Sequence, residues 1–305
     1  MTRGWFVVES NHRSIRISNG HRDVSRSVIP VSGRQRTKYT GNTIEGAVMS
    51  RITRPLLASL LGWIVFSNSA AAQSPRIRPS TVPPNAVEIA PDVYYMGKSF
   101  DPQSRQIVDG LVFVHRAPER KLKPNVAPAR PVKACYRLIG FPGWTSAEPW
   151  SVRVPSGSPL TSNTVISEIG NAITQWEMAA GVNILGNHSP TGVLPSTTLD
   201  GVNAIAFGNA GGGGTVAVTY VWGSRRTPIL EFDQIYGNNW NWTTGSSADA
   251  FDFANVATHE IGHAVGLDHP GNSCTEETMY AYVDFGEIKK RTLNAGDILG
   301  VQALY

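Results

Sequence analysis

Three imidazoles and one carboxylate fall within eleven residues: His259, Glu260, His263 and His269 in the run HEIGHAVGLDH. In an α-helix of about 3.6 residues per turn, side chains four apart lie almost one above the other, so His259 and His263 can offer ring nitrogens to a single metal ion. Glu260 points to the side of that pair. There its carboxylate can reach a water on the metal without being a ligand, as a general base for metal-assisted hydrolysis must. His269 cannot join from the same straight helix, because six further residues would carry it about 9 Å along the axis. The chain has to turn back, and Gly266 is the residue type that permits a positive-φ helix end and a sharp reversal. Three neutral imidazoles leave the fourth tetrahedral position open, the arrangement of a catalytic rather than a closed structural zinc. A bare HExxH arises by chance in roughly one unrelated chain of this size in a hundred, as polar positions on a helix surface. The added Gly and third His cut that to the order of one in a hundred thousand.

With those residues in place, the run resembles the zinc signature of the metzincin peptidases, and within them the matrixin branch. Glu277-Thr278-Met279-Tyr280 is similar to the family's Met-turn, Leu293 to Tyr305 to its closing helix, and Phe251 to Thr258 to the approach into its active-site helix, with Asp252 as a candidate N-cap. The resemblance covers Cys135 to Tyr305. It implies an α/β (α+β) zincin fold: a twisted, mostly parallel sheet, an active-site helix, a second long helix, and a C-terminal helix after the Met-turn. It also implies one catalytic zinc on His259, His263 and His269, with Glu260 as general base. Met279, otherwise core filler, would form an apolar floor under the imidazoles, and Asp297 a buried hydrogen bond to the Met-turn. Thr215, Val216, Ala217 and Val218 correspond to the upper edge of the cleft, where an extended peptide adds through main-chain hydrogen bonds. Asn255 corresponds to a position lining the S1′ pocket. Four departures limit the carry-over. Ala281 stands where some metzincins have a further Tyr ligand. Ala281 and Val283 replace the Pro and Tyr of the matrixin pocket wall. Residues 208–223 hold no His, Asp, Glu or Cys for a second, structural zinc, which leaves calcium open. Gly296 precedes Asp297 where matrixins pair two Asp residues, so no salt bridge to a trimmed amino terminus is expected.

The elements that would position these groups follow from pattern and composition. At 305 residues, 41% hydrophobic and 16% charged, the chain can bury one sizeable core and something smaller beside it. The overall charge of +4 does not indicate nucleic-acid binding, because residues 1–72 carry ten basic against three acidic groups and the remainder is net acidic. Arg51 and Arg54, the apolar run Leu56 to Phe66 and Ser69-Ala70-Ala71-Ala72-Gln73 read as a signal peptide over 49–72, cleaved after Ala72. Eleven residues are too few to span a hydrocarbon core of about 30 Å, so no stable membrane anchor is expected. Residues 1–48 read as an over-extended N-terminus upstream of Met49, or as an organelle-type leader.

Residues 73–134 read as a pro-segment or a small β accessory region. They are rich in Pro, and the strand-like pieces Val93 to Met96 and Leu111 to His115 flank a turn at Asp101-Pro102. This region holds ten basic and five acidic residues against seven and 15 in 135–305, so the two would attract. The Pro-Arg-Cys-Gly motif by which matrixin pro-segments block zinc is absent. The catalytic region, 135–305, is expected to have strands at Trp150 to Val154, Ala204 to Phe207, Thr215 to Val221 and Ile229 to Ile235. Its long helix spans Thr164 to Ala180, with Val165, Ile169, Ala172, Ile173 and Trp176 on one face.

These readings point to a secreted, monomeric zinc endopeptidase acting on polypeptide. The rival is a non-catalytic adhesion module of the same fold that keeps the metal for stability, for which Glu260 would have no use. Cys135 and Cys274, the only two cysteines, would form one bridge in an exported protein, or else one is a free thiol that blocks the zinc. If the export signal is read correctly, amino-terminal sequencing of secreted protein returns a chain beginning at Gln73, whether translation starts at Met1 or Met49. Recovery of a product that retains residues 56–66 would show the apolar run to be an anchor or a core element.

Overall fold

Near-continuous runs of β-branched and aromatic residues, buried on both faces, build the middle strands of the sheet, and Gly and Pro punctuate it. The computed structural model describes residues 77–117 and 134–305; the expected leader, the signal segment and the stretch 118–133 lie outside the described residues. In chain order the strands are β1 (Val87–Ala90), β2 (Val93–Asp101), β3 (Gln106–Arg116), β4 (Arg137–Leu138), β5 (Glu148–Arg153), β6 (Leu185–Ser189), β7 (Asn203–Gly208), β8 (Thr215–Gly223), β9 (Glu231–Gly237), β10 (Trp242–Thr243), β11 (Phe251–Asp252) and β12 (Leu267–Asp268). Three α-helices, α1 (Ser162–Ala180), α2 (Phe253–Ala264) and α3 (Ala295–Gln302), complete the described chain.

Eight strands form one mixed sheet in the order β1-β2-β3-β8-β9-β7-β5-β6. Its catalytic half is parallel, β6 with β5, β5 with β7 and β7 with β9, and only β8 runs against its neighbour. The amino-terminal strands extend the same sheet, each antiparallel to the next, with β3 paired to β8 from Asp109–Gly223 to Arg116–Thr215. Strand alternation decides what each face buries. Phe113, Val221 and Phe232 join the helices in the main core, whereas Val112, Val114, Val218, Tyr220 and Trp222 form a second core. Val82 and Ala86 close that second core, and the Tyr220 hydroxyl donates to the Thr81 carbonyl at 2.8 Å.

Helix α1 buries Val165, Ile169, Ala172, Ile173 and Trp176, spaced for a 3.6-residue turn, so one apolar stripe faces the sheet. Thr161 caps its start by accepting from the Thr164 N–H, and Gly181, at φ 75°, ends it with its N–H on the Glu177 carbonyl. The Trp176 indole donates to the Thr258 carbonyl at 2.8 Å and so fastens α1 to α2. Asp252 caps α2 by accepting from the Asn255 N–H at 2.8 Å. The same carboxylate accepts from Arg291 Nε at 2.7 Å. Helix α2 stops at Ala264 because Gly266 takes φ 110° and turns the chain into β12, which pairs with β4. A Cβ at Gly266 would also meet the terminal methyl of Leu304, which can move aside, so it is the backbone angle that requires glycine there.

Cys135 and Cys274 form a disulfide across a separation of 139 residues, with Cα atoms 5.6 Å apart. It joins the first described residues after 118–133 to the loop between His269 and Met279. Gly296 admits the Cys135 carbonyl, since a Cβ there would collide with it. Thiol titration of unfolded, unreduced protein should therefore find no reactive thiol. Replacing both cysteines by serine should lower the unfolding free energy by at most about 4–5 kcal/mol, the chain-entropy ceiling for a loop of this length. Two titratable thiols in the native preparation would overturn the bridge.

Candidate metal centre

The turn at Gly266 brings three imidazoles together. Nε2 of His263 and His269 lie 3.1 Å apart, and those of His269 and His259 3.3 Å. His259 Nδ1 lies 2.7 Å from the Thr278 carbonyl and His263 Nδ1 2.8 Å from the Leu267 carbonyl. A carbonyl can only accept, so both Nδ1 atoms carry the proton and both Nε2 lone pairs face inward, away from any donor proton of their own. Burial holds His263 down to about 3 and the other two well below the ordinary imidazole range, so all three are neutral. Nitrogens bound tetrahedrally to zinc at about 2.0–2.1 Å stand roughly 3.3 Å apart, which the two Nε2 separations match. Three buried, neutral donors at that spacing fit the metal that the sequence pattern implies.

Glu260 sits beside this cluster and is fully buried. Its Oε2 accepts from the Thr219 hydroxyl at 2.5 Å, and its Oε1 lies 2.9 Å from His115 Nδ1. Lys290 settles the tautomer of His115. Its ammonium can only donate, and it approaches His115 Nε2 at 3.5 Å, so Nε2 accepts and Nδ1–H donates to Glu260. Burial raises the Glu260 carboxyl to about 8, against the lowering effect of the Thr219 hydrogen bond and of nearby Lys290. Lys290 is itself wholly buried, with Nζ donating to the carbonyls of Tyr280 and Tyr282 at 2.6 and 2.7 Å, and burial lowers it to about 8.

Beneath the imidazoles, Met279 is buried against α2. A Cβ at Gly262 would run into Met279 Sδ and the Trp176 ring. Asp297 holds this turn with three main-chain bonds: Oδ2 accepts from Thr278 N at 2.6 Å and Asn294 N at 2.9 Å, and Oδ1 from Met279 N at 3.1 Å. Glu277 returns the contact by accepting from Gly296 N at 2.9 Å and Asp297 N at 3.2 Å. Burial raises both carboxyls, and the charge of Asp297 adds to the rise at Glu277.

The other residues singled out in the sequence stand as follows. Thr215, Val216, Ala217 and Val218 lie on β8 above the cluster, but β8 is an interior strand, because β3 takes its outer hydrogen-bonding edge. Asn255 is buried, its Oδ1 accepting from Lys290 N at 2.8 Å and its Nδ2 donating to Glu287 at 3.3 Å. Sequence reasoning did not single out His115, Phe113, Thr219 or Lys290 for the site. The only signal for His115 was a titratable residue closing an apolar strand. Lys290 stands in a Lys-Lys-Arg run that reads as solvated.

Residues 149–305 match the family model described as matrixin. The chain is similar to matrix metalloproteinase-25 of Homo sapiens, at 29% identity covering 67% of this chain and 37% of the relative. It is similar to matrilysin of Homo sapiens, at 27% identity covering 57% and 63%. The hatching enzyme of Paracentrotus lividus matches at 29% identity, covering 54% and 28%. The chain thus spans less than two thirds of the length of each of these relatives.

Removing the Asp297 carboxylate would strand three main-chain donors, two of them on Thr278 and Met279, each unmet donor costing roughly 1–3 kcal/mol when buried. Asp297→Ala should therefore lower stability by about 3 kcal/mol or more and weaken metal retention through the Thr278 carbonyl that orients His259. Asp297→Asn, which keeps one acceptor oxygen, should lose less. Equilibrium denaturation and metal titration of the two variants check the order, and equal effects of Ala and Asn would refute it.

Proposed function

Because the chain belongs to the matrixin family, we propose that it is a zinc-dependent endopeptidase, exported from the cell, with Glu260 as its general base. The observation that carries this reading is the convergence of three neutral, buried Nε2 donors with a carboxylate beside them that is not needed as a ligand. Zinc, when held by His259, His263 and His269, supplies Lewis acidity at the scissile carbonyl and lowers the cost of deprotonating the attacking water. The protein's own groups do the rest. Glu260 takes the proton of the attacking water and returns it to the leaving amide nitrogen. The carbonyls of Thr278 and Leu267 keep the two helix imidazoles in the tautomer that presents Nε2. Met279 and Asp297 fix the floor beneath them.

A polypeptide substrate would lie extended along the outer edge of β8, at Thr215, Val216, Ala217 and Val218, bonded through its main chain. Its side chain beyond the scissile bond would lie on the side of His259 that faces Asn255. Residues 73–134 act as a pro-segment in this reading rather than as a spacer. The adhesion-module alternative is disfavoured by Glu260: burying a carboxylate costs several kcal/mol even when hydrogen-bonded, which a purely structural metal site would have no reason to bear.

Base and metal can be separated experimentally. Glu260→Gln should retain zinc and lose peptide hydrolysis by ~10²- to 10⁴-fold or more, the usual weight of general acid–base catalysis. His263→Ala should lose the metal itself, as read by elemental analysis. Zinc-loaded Glu260→Gln protein with normal turnover would sink the mechanism.

A further inference from the structure

We propose that Thr219 is a positioning residue for the general base, its hydroxyl holding Glu260 by one carboxylate oxygen so that the other is left to the attacking water. This rests on the endopeptidase reading above. The hydroxyl donates to Glu260 Oε2 at 2.5 Å, the short end of O–H···O bonds, as expected where the acceptor carries charge. The other oxygen, Oε1, receives His115 Nδ1–H at 2.9 Å. His115 belongs to β3, whose Phe113 and His115 rings cover His263 and His259 at 4.2 and 4.0 Å between centroids. That bond is lost wherever a peptide takes the place of β3 over the imidazoles. The Thr219 bond is the one of the two that the catalytic region supplies from its own sheet.

Position 219 calls for an apolar residue on every other ground. Strand alternation puts Thr219 on the helix-facing side of β8 with Ala217 and Val221, both in the main core, and none of its surface is exposed. Its register partners are Phe113 of β3 and Gln234 of β9. Valine has nearly the shape of threonine and would fill such a site without a polar atom, whereas a buried hydroxyl costs free energy unless a partner meets it. Glu260 is that partner, and it stands on α2 rather than on the sheet. The neighbouring phenol is committed elsewhere. Tyr236, two residues beyond Gln234 on β9, donates its hydroxyl to Gln234 Oε1 at 3.0 Å, which leaves Thr219 as the sheet's donor to the carboxylate.

Threonine also fixes the direction of the bond. Its branched Cβ restricts χ1, and β8 is an interior strand tied to β3 and β9 along its length, so the sheet backbone sets where the donor points. A glutamate on a helix has no such constraint, because it rotates about several bonds. Holding Oε2 removes that freedom and divides the work between the oxygens, one anchored and one available to a proton. A carboxylate oxygen of Glu260 and a ring nitrogen of His259 lie within 4.8 Å of each other, so a small swing of the carboxylate changes its reach to anything held at the imidazoles. A displacement of about 1 Å in a catalytic group can cost ~10²-fold in rate.

The test uses the full, zinc-loaded chain, both intact and nicked by trypsin within residues 118–133, where Arg120, Lys121, Lys123, Arg130 and Lys133 stand. Whichever form turns over a fluorogenic peptide library is carried through the series, with trypsin inhibited. Thr219→Val leaves the metal ligands and the main chain of β8 as they are, so it should keep its zinc and its KM while kcat falls by ~10- to 10²-fold. Thr219→Ser keeps the hydroxyl and should recover most of that loss. Tyr236→Phe removes a buried hydroxyl that does not bond Glu260, and it should leave kcat near the wild-type value. A second readout needs no turnover. In a denaturation cycle, Thr219→Val should lower the folding constant roughly 10-fold more in the wild-type background than in Glu260→Ala, because the bond exists only in the former. Unchanged kcat in Thr219→Val, a loss that serine does not recover, or a change confined to KM would overturn the proposal. So would a cycle without coupling. Coupling in a chain of which no form hydrolyses peptide would sink the endopeptidase reading, and the positioning role with it, while the bond itself remained.

Discussion

Helix α2 is buried at every position but Ala254 although its surface carries Asn255, Thr258, His259, Glu260 and His263, and most of the remaining architecture answers that constraint. A polar group taken out of water costs several kcal/mol unless it is partnered, so each of these side chains requires a fixed acceptor or donor from elsewhere in the fold. Thr278 and Leu267 supply carbonyls to two imidazoles, Thr219 a hydroxyl to Glu260, and Lys290 an amide N–H to Asn255. Those partners come from β8, β12, the Met279 turn and the segment before α3. Each must hold its place to within a hydrogen-bond length, which is why the turn is itself locked by Asp297 and its loop by the disulfide.

The amino-terminal strands meet a second requirement of the same sheet. Val218, Tyr220 and Trp222 project from β8 on the side away from the helices, and without β3 and the residues around Val82 that apolar face would meet water. Covering it and covering the imidazoles are achieved by one strand, because alternation gives β3 two apolar faces. The amino-terminal segment is thereby held both by its fit to the sheet and by its fit to the site.

Local patterns were the legible part of the sequence. The five residues read as the buried stripe of α1 are the five that it buries, and β5, β7, β8 and β9 begin and end within about two residues of their expected limits, whereas β6, whose residues Leu185 to Ser189 carry little apolar pattern, was not expected. The convergence of His259, His263 and His269 was equally readable, since helical spacing and one positive-φ glycine are local facts. Illegible were the contacts between segments far apart in the chain. That Leu111 to His115 forms a strand follows from its residues, but nothing in those residues says that it pairs with β8, so the expected mostly parallel sheet gained an antiparallel half. Lys290 shows the same limit. Its neighbours Lys289 and Arg291 form ion pairs with Glu276 and Asp252, while Lys290 alone turns inward, a choice made by the carbonyls of Tyr280 and Tyr282 rather than by the Lys-Lys-Arg run.

Gly262 lies between two imidazole-bearing turns of α2 with no room for a Cβ, because Met279 Sδ and the Trp176 ring already fill that space. In evolutionary terms, positions 176, 262 and 279 form one unit although they span more than a hundred residues of chain. A larger residue at 262 becomes tolerable only after one of the other two has shrunk, and a smaller residue at 279 or 176 opens a void unless 262 grows to meet it. Their substitutions are therefore non-additive, and the order in which they arise decides whether an intermediate sequence folds. The three positions change together or remain as they are.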